Sequence, residues 1–224
     1  QMMKLQLPIP DHTTLSRRSQ TLKPILHGGF PGCPLHLIVD STGLSIHGEG
    51  PWASGKKRRR GWRKLHIMVG EDGFIHSSCV SKWYTKDGSR VRHLLEGFNG
   101  EIASLTGDKG YDQNSVVRNV GKKNPAAQVV IHPRVNAVLS GKDEWTQRDW
   151  HVHKIRSDGV EAWRRESGYY RQSTVENTFY RYKTIIGKRL RARGEEARQV
   201  EATIACQILN RFLELGRAES IPVG

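Results

Sequence analysis

The sequence predicts a mixed α/β domain, a sheet flanked by helices. Three observations carry this. Short apolar runs of strand length recur, polar stretches of helix length separate them, and one long amphipathic helix stands near the end of the chain. The first run, Leu35–Val39, is bounded by Pro34 and Gly43 and reads as a buried strand ending at Asp40. Leu65–Val69 and Phe74–Val80 read as two more strands, joined at Glu71-Asp72-Gly73 by a hairpin turn. Ser89–Phe98 follows as a helix, Ile102–Thr106 as a fourth strand running into Gly107-Asp108, Gln113–Val120 as a helix, and Gln128–Ile131 as a fifth strand.

Beyond Pro133 the period is lost. Residues from about 134 to 160 are polar, with Trp145 and Trp150 among charges, and read as an insertion. Val160–Gly187 reads as helical, with a break at Gly168. In Glu195–Leu215, Val200, Ile204, Ile208, Phe212 and Leu215 recur at helical spacing and form the expected packing stripe. The expected organisation is an arm over 1–32 with a short helix at Thr14–Thr21, a domain over 33–216 and a tail over 217–224. The arm is a candidate remnant of a DNA-binding region. A chain that starts at Gln1 without a signal-like apolar stretch suggests a fragment or a processed chain.

Composition narrows the function classes. The 224 residues include 36 Lys+Arg against 22 Asp+Glu, a formal charge of +14, which attracts polyanions. Nucleic acid leads as partner. No apolar run reaches the ~18 residues of a membrane span, so no membrane partner is expected. Three scattered cysteines, Cys33, Cys79 and Cys206, argue against a disulfide framework or a zinc ribbon. His151 and His153 have a metal-like spacing but no partner cysteine. A cytoplasmic, nucleoid-associated protein is the expected setting. The run Lys56, Lys57, Arg58, Arg59, Arg60, flanked by Trp52 and Trp62, is a candidate phosphate-tracking loop.

The candidate chemistry rests on three acids. Asp40 and Asp108 each follow an apolar run; if those strands are neighbours, both carboxylates emerge at one end of the sheet. Glu176 lies on an expected helix. Tyr169, Gln172, Glu176 and Lys183 fall at offsets 0, 3, 7 and 14, one helical stripe, beside a packing stripe of Val175, Phe179, Tyr182 and Ile186. Converging carboxylates suit hard divalent cations, and two such ions activate an attacking oxygen and stabilise a leaving one.

Asp40-Ser41-Thr42-Gly43, Trp62-Arg63-Lys64-Leu65-His66 and Gly107-Asp108-Lys109-Gly110-Tyr111-Asp112 resemble the blocks around the first two aspartates of bacterial insertion-sequence DDE transposases, closest to the insertion-sequence-five type of the IS4-like superfamily. Ser167-Gly168-Tyr169-Tyr170-Arg171, Glu176 and Tyr180-Arg181-Tyr182-Lys183 resemble the third block. The resemblance spans roughly residues 5–216. It implies a ribonuclease H-like fold with a mixed five-stranded sheet and a short insertion before the helix carrying the third acid. It implies that Asp40, Asp108 and Glu176 are catalytic and bind two Mg²⁺ ions, with Mn²⁺ able to substitute. It also implies double-stranded DNA as substrate, both terminal inverted repeats and target, and action as a homodimer. Lys109, Tyr169, Arg171, Gln172 and Lys183 are the DNA-contacting candidates near the acids. One position departs: the pattern's Arg falls on Gln172, and the neighbouring Arg171 is rotated about 100° away on a helix. The segment that recognises DNA ends in longer relatives is expected to be shortened or absent. A truncated relative that binds DNA without cutting it, and a nuclease on the same fold, are the alternatives.

Overall fold

The computed structural model describes residues 11–28, 32–47, 61–141 and 144–216. The five expected strands are β1 (Leu35–Ile46), β2 (Trp62–Gly70), β3 (Ile75–Lys82), β4 (Ile102–Gly107) and β5 (Gln128–Ile131). They lie side by side in the order β3-β2-β1-β4-β5. β2 runs antiparallel to both β1 and β3, while β4 and β5 run parallel to β1. A sixth, two-residue strand, β6 (Arg189–Leu190), pairs with the far end of β1. This mixed sheet flanked by helices is the ribonuclease H-like arrangement.

Alternation along the strands builds two cores. Leu37 and Val39 face α2 (Val91–Glu96) and α3 (Asn114–Lys123), where Leu94, Leu95, Phe98, Tyr111, Val116 and Val120 pack. Ile38 and Leu44 face the other way, onto α5 (Gln172–Arg181) and α6 (Glu195–Glu214) through Val175, Phe179, Ala202, Cys206 and Leu209. The remaining helices are α1 (His12–Thr21), which lies against α6, and α4 (Gln147–Ser167).

Three local expectations change. The strand does not stop before Asp40 but runs on to Ile46, because β2 pairs with it continuously from Leu37 to Ser45. The turn-like Asp-Ser-Thr-Gly is held extended by that pairing. The stretch read as an irregular insertion becomes helical from Gln147, where Thr146 and Asp149 form a capping box. Gly159 (φ 86°) kinks this helix, which hides its period, and Gly168 (φ 72°) ends it in the left-handed conformation. On α6 only Val200 of the expected stripe is buried; Ile204 and Ile208 are 42% exposed and Phe212 47%. The buried face runs instead through Ala197, Val200, Ala202, Ala205, Cys206 and Leu209, mostly small side chains that let the helix approach the sheet.

Both sheet edges are closed by side-chain groups. On β3, Val80 N–H donates to Gln199 (2.7 Å), and Ile75 exchanges bonds of 2.8 Å with the Asn210 amide in both directions. On β5, Val129 N–H donates to Gln147 (2.7 Å), and the Gln147 amide donates to Ala127 O (3.1 Å). Trp163 Nε1 donates to His151 Nδ1 (2.8 Å), which leaves Nε2 to donate to Val129 O (2.8 Å). His151 is thereby engaged in packing, as is the fully buried Trp163.

Candidate active site

Val39 pairs with Gly107, the last residue of β4. β1 continues past that point and β4 does not, so Asp40 stands beside the place where Asp108 leaves the sheet. Gly107 permits this closeness: a Cβ there would lie 3.2 Å from Val39 and 3.3 Å from Tyr111. Asp40 shares its face of β1 with Ile38 and Leu44, the face covered by Val175 and Phe179 of α5. Glu176 stands on that same helix, exposed.

The acids sense one another. Burial pushes the Asp40 carboxyl up to about 7; the Ser41 N–H opposes this, and the charges of Asp108, Asp87 and Glu176 push the same way. One oxygen of each strand-end aspartate is engaged by backbone: Asp40 Oδ1 accepts from Ser41 N–H (2.7 Å) and Asp108 Oδ1 from Gly110 N–H (2.8 Å). The second oxygen of each accepts no hydrogen bond from the described residues. Among the described residues, no three His, Cys, Asp or Glu side chains stand as a ready metal cage. Carboxylates with open oxygens and mutual repulsion are nonetheless a donor set that suits Mg²⁺ or Mn²⁺.

Tyr169 reports on the same point. Its ring lies 4.8 Å from that of Trp163 and 5.9 Å from that of His132, centroid to centroid. Burial raises its phenol to about 12, and Asp108, Asp40 and Glu176 add to this against Arg164. Tyr169 is held by an aromatic cluster within electrostatic reach of all three acids, though not by the continuous helix that the spacing predicts. It stands in a short 3₁₀ turn before α5, and Lys183 lies in a π turn (Tyr182–Ile186) after it. The stripe is therefore broken at both ends, while Val175, Phe179 and Tyr182 are buried as expected.

Among the remaining candidates, Lys109 is exposed in the turn after Asp108. Arg171 pairs with Glu71 at 3.1 Å and lies over the Tyr170 ring. Gln172 is 8% exposed and its Oε1 has no partner among the described residues, so it faces protein rather than solvent. Lys56, Lys57, Arg58, Arg59 and Arg60 lie outside the described residues.

The sequence reading passed over Asp87 and Tyr111. Asp87 stands in a 3₁₀ turn (Asp87–Arg90) after β3 and takes Ser41 Oγ and Lys64 Nζ, each at 2.9 Å. Tyr111 is fully buried, and its hydroxyl has no partner among the described residues. Burial raises that phenol well above its usual value, with Asp40, Asp87 and Asp108 adding to it. Asp87 lies five residues after the end of β3, a strand of mixed polar and apolar residues, and no sequence pattern sets it apart. Comparison with known protein families matches residues 31–211 to the Transposase DDE domain, and a second model of the same description matches residues 1–49. The chain belongs to the DDE transposase domain family.

Proposed function

We propose that this chain is the catalytic part of a DNA transposase that cleaves and joins strands at the ends of an insertion sequence. Asp40, Asp108 and Glu176 would hold two Mg²⁺ ions, or Mn²⁺ in their place. The observation that carries this reading is the pairing of Val39 with Gly107, which brings Asp40 and Asp108 together from neighbouring parallel strands. Beside burial, the charges of Asp108, Asp40 and Glu176 also raise the Tyr169 phenol. When bound, divalent ions activate the attacking oxygen and stabilise the leaving one.

The chain's own residues orient the rest. Ser41 and Gly110 N–H groups each hold one aspartate oxygen, which fixes the direction of the other. Tyr169, within electrostatic reach of the acids, would hydrogen-bond or stack along a strand. Lys109 and Lys183, with the run from Lys56 to Arg60, would neutralise backbone phosphates. Arg171 would exchange Glu71 for a phosphate, and Gln172 would reach DNA only if its turn opens. The active species would be a homodimer on paired terminal inverted repeats.

Incubating the protein with supercoiled DNA that carries the element ends, with and without Mn²⁺, tests this. Metal-dependent nicking near the ends, abolished by Asp108→Asn in a protein that still folds, is the expected result. Unchanged nicking by that variant removes the assignment. Salt-sensitive binding without cleavage would mark a non-cutting relative, and cleavage of RNA–DNA hybrids without end preference a nuclease.

A further inference from the structure

We propose that Asp87 is a positioning residue that holds the two strand-borne aspartates from behind the sheet. This rests on the reading of Asp40 and Asp108 given above. Asp40 and Ser41 alternate to opposite faces of β1, so Ser41 points away from α5, toward the face where Lys64 and His66 of β2 also lie. Asp87 meets them there. Its Oδ1 accepts from Ser41 Oγ and from Lys64 Nζ, and lies 3.7 Å from His66 Nδ1. Lys64 is in turn anchored on Thr85 O (3.1 Å), and His66 Nε2 lies 2.7 Å from Ser81 Oγ. The same Ser41 donates its N–H to Asp40. Asp87 is thus one residue removed from the first acid.

It is one residue removed from the second acid as well. A Cβ built on Gly110 would lie 2.9 Å from Asp108 Oδ1 and 3.3 Å from Asp87 Oδ2. Gly110 is wedged between the two carboxylates, and its N–H is the one that holds Asp108. One carboxylate therefore hydrogen-bonds the Ser41 side chain and packs against Gly110, the two residues whose N–H groups engage the aspartates. Two buried polar atoms beside it, Tyr111 Oη and His66 Nδ1, have no hydrogen-bond partner among the described residues. They mark a polar interior arranged around charge, where an apolar core would otherwise extend from Met68 and Cys79.

The mere presence of a negative charge and a positioning role predict opposite signs for Lys64. If Asp87 acts only as a nearby charge, Lys64→Met exposes that charge and tightens Mn²⁺ binding. If it positions, losing Lys64 loosens Asp87 and weakens Mn²⁺ binding. The full chain is titrated with Mn²⁺, free ion being followed by electron paramagnetic resonance. Duplex affinity in EDTA and plasmid nicking are measured on the same samples. Asp87→Asn is expected to weaken Mn²⁺ binding and slow nicking by about ten-fold, the usual effect of a group that orients metal-binding side chains. Duplex affinity should not change. Lys64→Met and Ser41→Ala should shift Mn²⁺ binding in the same direction, and Asp87→Glu should recover part of the loss. Tighter Mn²⁺ binding in Lys64→Met overturns the proposal. So does unchanged Mn²⁺ binding in Asp87→Asn or, should that variant not fold, in Ser41→Ala. Uptake of Mn²⁺ by wild type that only Asp87 variants leave unaltered defeats this inference alone. No uptake by wild type defeats the reading of the acids together with it.

Discussion

Asp40 and Asp112 show two opposite uses of a carboxylate in this chain. Burial raises the Asp40 carboxyl, and the like charges of Asp108, Asp87 and Glu176 add to this. Such a residue opposes folding of the metal-free protein, a cost that sites of chemistry commonly carry. Asp40→Asn should therefore stabilise the metal-free chain at pH 8 by about 1 kcal/mol, a rise of roughly 2–4 °C in Tm by calorimetry. A lowered Tm would show that the cluster is not repulsive. Asp112 is also buried, which by itself raises a carboxyl, but the hydrogen bonds from Arg148 and Arg134 outweigh this and hold it below the usual range. Arg148 grips it with two bonds, Nε at 2.6 Å and Nη2 at 3.1 Å. A group whose folded pKa is depressed contributes stability that is present above the unfolded value and lost as pH falls through the folded one. Urea midpoints should accordingly decline as pH drops from about 5 toward 3. Asp112→Asn should cost roughly 2 kcal/mol at pH 7 and flatten that decline. An equally steep acid decline in the variant would assign it to other groups, such as Asp149, which is also held low.

At the scale of elements, the strands were legible because their apolar runs are short and bounded, and α5 was legible through Val175 and Phe179. What could not be read was tertiary. The Asp-Ser-Thr-Gly stretch looks like a turn, and only its partner β2 keeps it extended. The α6 stripe of Ile204, Ile208 and Phe212 recurs at helical spacing in the sequence, yet the helix buries mainly small residues beside Val200 and Leu209 and uses Gln199 and Asn210 to close the β3 edge. Amides carry no hydrophobic signal, so edge closure is invisible to periodicity. Asp40, Asp108 and Glu176 could be singled out as candidates from the sequence, whereas Asp87 and Tyr111 drew notice only once the Asp87–Arg90 and Lys109–Tyr111 turns came together. The edge device makes its own prediction. Gln147→Ala leaves Val129 N–H and Ala127 O without their partner. Each orphaned group costs about 1–3 kcal/mol, so chemical denaturation should show a loss of roughly 2 kcal/mol. Aggregation should also be faster, through the bared edge. A loss under 0.5 kcal/mol would mean that water replaces the amide freely.

For the whole molecule, the excess of 36 basic over 22 acidic residues stands beside Asp40 and Asp108, which two neighbouring strands bring together. On the proposed reading, a polyanion drawn to the general surface would meet a local negative site, where divalent ions and phosphate would be attracted together. Duplex affinity should fall linearly on a log–log plot against salt, with a slope that reports the phosphates neutralised; a flat plot would remove DNA as partner. No helix among the described residues is long and apolar enough to cross a membrane. The central claim is that Asp40, Asp108 and Glu176 share one divalent-metal site. Loading the protein with Fe²⁺ and adding ascorbate and peroxide tests it most directly, since hydroxyl radicals cut the chain where the metal sits. Cuts near 40, 108 and 176, all suppressed by excess Mg²⁺ and by Asp108→Asn, are the predicted result. Cuts elsewhere, or at only one of the three segments, would contradict it.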